Sequence, residues 1–285
     1  VGLLVRCGVI GSCGHGPYRY TGGDRALELY ITGQRIIRRV VAPAGGPPMC
    51  SRFAMTSPPE AVRSYFSHRP AEPFPPRYNI APTQPVHIVR TSEAGQRELV
   101  LVRWGLIPSW VKNPGEFTTL INARSETARE KPSFRAAMRH KRCLFPVTGF
   151  YEWVGPKGAK RPHLFQRRDG DKQDEAAADD QGLFAFAGLF ESWLGADGSE
   201  IDTAAILTTT ANATVKPIHD RMPVILPQTL FDAWLNCREI DAAEAHGMLA
   251  PAPDDFLDVF EVSAVLNNPK NDGPELQQRV RTTLL

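Results

Sequence analysis

The 285 residues carry 33 Lys and Arg against 31 Asp and Glu, a formal net charge of +2, with 42% hydrophobic residues and five cysteines. The cysteines follow neither a disulfide framework nor a usual zinc spacing, and no stretch reads as a secretory signal or a membrane span. Secreted disulfide scaffolds, zinc proteins of familiar type and helical membrane proteins are thereby excluded, and a reducing cytoplasm is expected.

Residues 1–48 differ in composition from the rest. They hold six arginines, no lysine, two acids and ten of the 23 glycines, so the formal charge falls from +2 to −2 without them. They read as a non-native or removable leader, expected to be disordered, ahead of one domain over residues 49–285. Cys7, Cys13 and His15 in this leader lack a fourth ligand and do not form a metal site. The domain opens on Met49-Cys50-Ser51-Arg52-Phe53. A cysteine directly after an internal methionine becomes N-terminal if translation starts there and the methionine is removed. Its thiol and its α-amine, titrating near pH ~8, then form a 1,2-aminothiol. Such a group traps aldehydes: the amine makes an imine and the thiol closes it to a thiazolidine. The plain alternative is an ordinary buried cysteine.

Further along, a helix is expected over residues 59–66, followed by the polar turn Arg77-Tyr78-Asn79-Ile80-Ala81-Pro82-Thr83 and strands over 85–90 and 98–104. In Leu120-Ile121-Asn122-Ala123-Arg124-Ser125-Glu126 an amide and a guanidinium stand two residues apart, so on a strand Asn122 and Arg124 share one face. A helix over 133–140 and a strand over 142–147 precede Gly149-Phe150-Tyr151-Glu152-Trp153, where one carboxylate is embedded among three aromatics. Screening from water would raise the pKa of Glu152 and suit it to general acid work; an exposed glutamate on an aromatic strand is the alternative. Strands over 163–167, 183–190 and 203–209 flank a polar surface loop at 167–181. His219-Asp220-Arg221-Met222-Pro223 offers a histidine beside a carboxylate, a proton carrier or a merely satisfied histidine. A last helix, 227–235, opens on Pro227 and buries Leu230, Phe231, Trp234 and Leu235. Strands in runs without regular helix alternation define a single-domain α+β fold around a mixed, largely antiparallel sheet.

From Met49 to about Gln278 these segments, with Arg103-Trp104-Gly105-Leu106-Ile107-Pro108, occur in the order of the SOS-response-associated peptidase (SRAP) family, which the chain resembles. That domain shields abasic sites in DNA. The resemblance implies a β-barrel-like core with flanking helices and a basic groove for single-stranded DNA ending at Cys50, which would capture the aldehyde of an abasic sugar as a thiazolidine cross-link. It also implies that Asn122 holds the cross-linked residue and sugar, that Glu152 and His219 move protons, and that Arg124, Arg52 and Arg221 bind phosphates. Asn79 and Thr208 would be further polar contacts to DNA, and Trp104 and Trp110 would pack on bases or backbone.

The chain departs from the family in two places. A retained leader would leave the amine of Cys50 acylated and unable to form an imine, and Ser51 replaces an expected glycine beside the DNA. Two rival functions use the same residues: a thiol autopeptidase cleaving before Cys50 with His219 and Glu152, and a non-covalent binder of single-stranded or modified DNA. Neither a metal nor an organic cofactor is expected. The expected partners are single-stranded DNA containing abasic sites and replication-fork proteins. A monomer, without membrane association, is expected in the cytoplasm near the nucleoid.

Overall fold

The computed structural model describes residues 51–156, 158–168 and 182–280, with strand backbone inside residues 18–41. The chain divides into two compact units, Val1–Pro48 and Met49–Leu285. Cys50, the metal-like trio of the leader and most of the 167–181 loop lie outside the described residues.

In the first unit, where disorder is expected, β1 (Tyr18–Gly22), β2 (Arg25–Thr32) and β3 (Arg35–Val41) form an antiparallel sheet in that order. The sequence there alternates enough, as in Leu27, Leu29 and Ile31, to suit strands.

The second unit begins with β4 (Phe53–Met55), α1 (Pro59–Phe66), β5 (Arg77–Ile80), β6 (Pro85–Thr91), β7 (Arg97–Trp104) and β8 (Asn122–Arg124). It continues through α2 (Ser125–Ala128), α3 (Arg135–His140), β9 (Arg142–Val147), β10 (Gly149–Val154), β11 (Arg161–Arg167), β12 (Phe184–Leu194) and β13 (Glu200–Thr210). β14 (Arg221–Pro223), β15 (Ile225–Leu226), α4 (Phe231–Leu235), α5 (Ala242–Gly247) and β16 (Leu257–Glu261) complete it.

Five strands close a barrel. β13 pairs in parallel with β7, and the antiparallel pairs β7–β6, β6–β9, β9–β12 and β12–β13 complete the circuit. Closure removes the barrel's own free edges. A second sheet, in the order β16-β11-β10-β4-β5, packs one face on the barrel. Phe53 and Phe150 of this sheet meet Phe186 of β12 edge-on at 6.3 and 5.7 Å, while Phe150 stacks on Phe165 at 4.7 Å. Burying each such ring contributes about 1.5–3 kcal/mol. The other face of the sheet buries Ala54, Tyr151 and Leu164 against Val262, Leu266 and Leu276 of the C-terminal segment.

The Arg77–Thr83 segment is corrected. Its first four residues are β5, paired with β4, and only then does the chain turn, with Thr83 at φ 71°. β5 is an outer strand of its sheet, so polar residues outnumber the buried Ile80 and mask its strand character.

Candidate active site and nucleic-acid interface

The first group of site residues lies where β4 begins. The Tyr151 N–H donates to the Arg52 C=O at 3.0 Å, extending the β10–β4 pairing by one residue, so Glu152 stands level with Ser51. Side chains alternate across a strand. Tyr151 faces the outer cluster, and Glu152 turns with Phe150 toward the main core, only 5% exposed. Burial pushes the Tyr151 phenol well above its usual range, and Gln277, donating to that oxygen, opposes it. Arg52 is half-buried; its Nη1 donates to Asn79 Oδ1 at 2.7 Å and Leu266 O at 3.2 Å, and its guanidinium lies 5.9 Å from the Trp153 ring centroid. Burial lowers its pKa, but a guanidinium remains protonated throughout the working range.

The second group is built on the end of β13. β8 runs parallel to it with Asn122, Ala123 and Arg124 opposite Ile206, Leu207 and Thr208, and β14 pairs from the other side. Ala123 is buried while Arg124 is exposed and Asn122 intermediate, as alternation requires. Arg221 holds Glu126 with two bonds of 2.9 Å and also donates to Thr208 O at 2.7 Å. Burial pushes Glu126 up, but hydrogen bonds from Arg221 and from its own backbone outweigh that, leaving it below the usual carboxylate range. The Arg221 N–H donates to His219 Nδ1 at 3.1 Å. In the neutral ring Nε2 therefore carries the proton, presenting the donor a proton carrier needs. Asp220 does not orient His219: it pairs with Lys216 at 2.7 Å, which lowers its pKa.

Trp104 joins the two groups. Its ring edge meets Phe53 at 5.0 Å and its Nε1–H donates to Ile121 O at 3.0 Å, tying the neighbour of Arg52 to the neighbour of Asn122. It is 0% exposed, so it braces the core and has no open face on which a base could stack. Two other residues expected to contact DNA are likewise buried. Asn79 is 1% exposed and its amide is engaged within the protein, and Thr208 is 2% exposed, accepting from Arg221. Arg221 itself is already occupied by Glu126. Trp110, by contrast, is 57% exposed with an edge on Phe117, as a base-packing ring must be.

Glu126, Trp153 and Asn267 escaped sequence reading. Their partners lie far along the chain: Arg221 for Glu126, and Asn267 Oδ1 for Trp153 Nε1–H at 2.7 Å. Among the described residues no group of three His, Cys, Asp or Glu is arranged to hold a metal ion, and no helix is long and apolar enough to cross a membrane.

The molecule is thus an α+β protein with a closed mixed barrel, carrying Arg52 and buried Glu152 in one group of residues and Arg124 and His219 in another. The family model for SOS response associated peptidase (SRAP) matches residues 49–269, and the chain belongs to that family. It is 37% identical over 233 residues to abasic site processing protein YoqW of Bacillus subtilis (strain 168), covering 80% of this chain and 98% of that protein. It is 30% identical over 269 residues to abasic site processing protein HMCES of Xenopus tropicalis, covering 82% of this chain and 79% of that protein. A crystal structure of a Bacteroides thetaiotaomicron protein superposes with a TM-score of 0.70 at 27% identity, covering 81% of this chain and 100% of that one.

Proposed function

We propose that this protein captures the ring-opened aldehyde of an abasic site in single-stranded DNA on Cys50, once residues 1–49 are gone and its amine is free. The amine attacks the aldehyde carbon, a C–N bond forms, and the carbonyl oxygen leaves as water to give an imine. The thiol sulfur then adds to the same carbon while its proton passes to nitrogen, closing the thiazolidine. No oxidant or reductant is consumed, but protons must move at each stage. Glu152 and His219 are the groups proposed to move them. Asn122 holds the sugar, Arg52 and Arg124 hold phosphates, and Trp110 packs on a neighbouring base.

The observation that carries this reading is the Arg52–Tyr151 backbone pairing, which sets Ser51 level with buried Glu152. The names of YoqW and HMCES as abasic site processing proteins support the substrate class. Such a protein would act as a monomer on single strands near the nucleoid and the replication fork. Protein beginning at Cys50, mixed with a single strand carrying one abasic site, is expected to form a heat-stable adduct detectable by denaturing electrophoresis. Cys50→Ala should form none. An equally stable adduct from the alanine variant would overturn the thiazolidine chemistry.

A further inference from the structure

Arg52 is held differently from the ion-paired arginines of the domain, and unlike Arg142, which also meets only carbonyls and a Trp ring but is sealed in the core at 1% exposure, it is only half-buried. Arg77, Arg90, Arg97, Arg161 and Arg221 each face a carboxylate within 2.6–3.1 Å. The Arg52 guanidinium instead meets only neutral groups among the described residues: Asn79 Oδ1, Leu266 O and the Trp153 ring. A carboxylate would orient a guanidinium but also cancel its attraction for an anion. Neutral acceptors orient it and leave the charge in place.

Asn79 is itself locked. Its Nδ2 faces three carbonyls, Leu266 O at 3.1 Å, Asn268 O at 3.1 Å and Asn271 O at 2.8 Å. Three acceptors on that side require the amide nitrogen there, so the oxygen must turn toward Arg52. Asp272 caps the backbone N–H groups of Tyr78 and Asn79, the latter at 2.9 Å, and also pairs with Arg77. On the remaining side, Trp153 is fixed by its bond to Asn267. Every element of this clasp other than β5 and β10 comes from residues 266–272.

We propose that Asn79, clasped by residues 266–272, is a positioning residue that pre-organises Arg52 to receive a DNA phosphate. The proposal rests on the reading of Arg52 as a phosphate contact. Its effect is entropic: a guanidinium already aimed at the phosphate loses little rotamer freedom on binding, a saving that corresponds to about 2–10-fold in affinity per side chain.

The test is a double-mutant cycle on the full chain, with an intact oligothymidylate strand as the probe and affinity measured over a salt series. Arg52→Ala should weaken binding and reduce the salt slope by about 0.7, one phosphate contact on a single strand. Asn79→Ala should weaken binding about 2–10-fold in the parent and have no further effect once Arg52 is alanine. Equal weakening in both backgrounds overturns the proposal, because Asn79 would then act independently of Arg52. Should Asn79→Ala fail to fold, Asp272→Asn at the rim of the clasp takes its place in the same cycle, with the same expectation. If Arg52→Ala changes neither affinity nor slope, the phosphate reading falls, and guanidinium NMR of the DNA-free protein judges the clasp separately. Resolved Arg52 Nη proton signals that average out in Asn79→Ala uphold it; identical signals in both proteins overturn it.

Discussion

Glu152 and the arginines of the candidate site show how surroundings assign different work to the same side-chain types. Glu152 lies 5% exposed on a strand whose neighbours are aromatic, one of the two settings that the sequence Phe150-Tyr151-Glu152-Trp153 left open. Glu152→Gln preserves shape and hydrogen-bonding capacity but cannot cycle a proton. It is expected to keep DNA affinity while slowing cross-linking by about 10²-fold or more, and reversal more strongly. Single-turnover cross-linking and release assays check this; parental rates in the variant would reduce Glu152 to a structural residue. The arginines were less legible. Nothing in Asn-Ala-Arg-Ser-Glu or His-Asp-Arg-Met-Pro says that Glu126 will take Arg221 while Arg124 stays exposed, because the two segments are brought together by pairing on either side of β13.

At the scale of elements, the long strands were legible because apolar alternation, or an unbroken apolar run bounded by turn residues, records their burial. The expected strand over 142–147 is β9 as observed, and those over 85–90 and 98–104 lengthen by one residue each into β6 and β7. The helix expected over 227–235 begins as a 3-10 turn, Gln228–Leu230, before α4. β8, β14 and β15 have two or three residues, too few for a period, and exist only through partners in β13 and β12. The packing between β9 and β12 makes a sharp prediction at Gly188. A Cβ there would sit 2.3 Å from Phe145 Cε2 and 3.0 Å from Cys143 Sγ. Gly188→Ala should therefore destabilise the domain by about 1–3 kcal/mol through overpacking. Urea unfolding should show a lower midpoint at unchanged slope, and an unmoved midpoint would mean that Phe145 repacks without cost.

At the scale of the whole molecule, Val1–Pro48 and Met49–Leu285 are separate compact units, and the second contains its own closed barrel and core. A chain starting at residue 49 is expected to unfold cooperatively with nearly the thermal midpoint of the full chain, as scanning calorimetry would measure. A broad, non-cooperative transition would show that the leader contributes to the core. The compositional break was visible in sequence as a change from six arginines with two acids to a slightly acidic remainder.

The sequence by itself determined the properties carried by local pattern: the α+β class, the boundary near Met49, the longer strands and helices, and the six segments that mark the family. Each depends on residues that are neighbours along the chain, so periodicity and composition record it. Tertiary structure alone decided which candidates reach the surface. Trp104 and Trp110 stand six residues apart, yet one is sealed against Phe53 and Ile121 and the other is open to solvent. It also decided that the Asn79 side-chain oxygen faces Arg52, because the three carbonyls that turn its amide come from residues 187 to 192 positions away. Burial and partner choice at that separation are set by barrel closure and sheet packing, which no local pattern encodes.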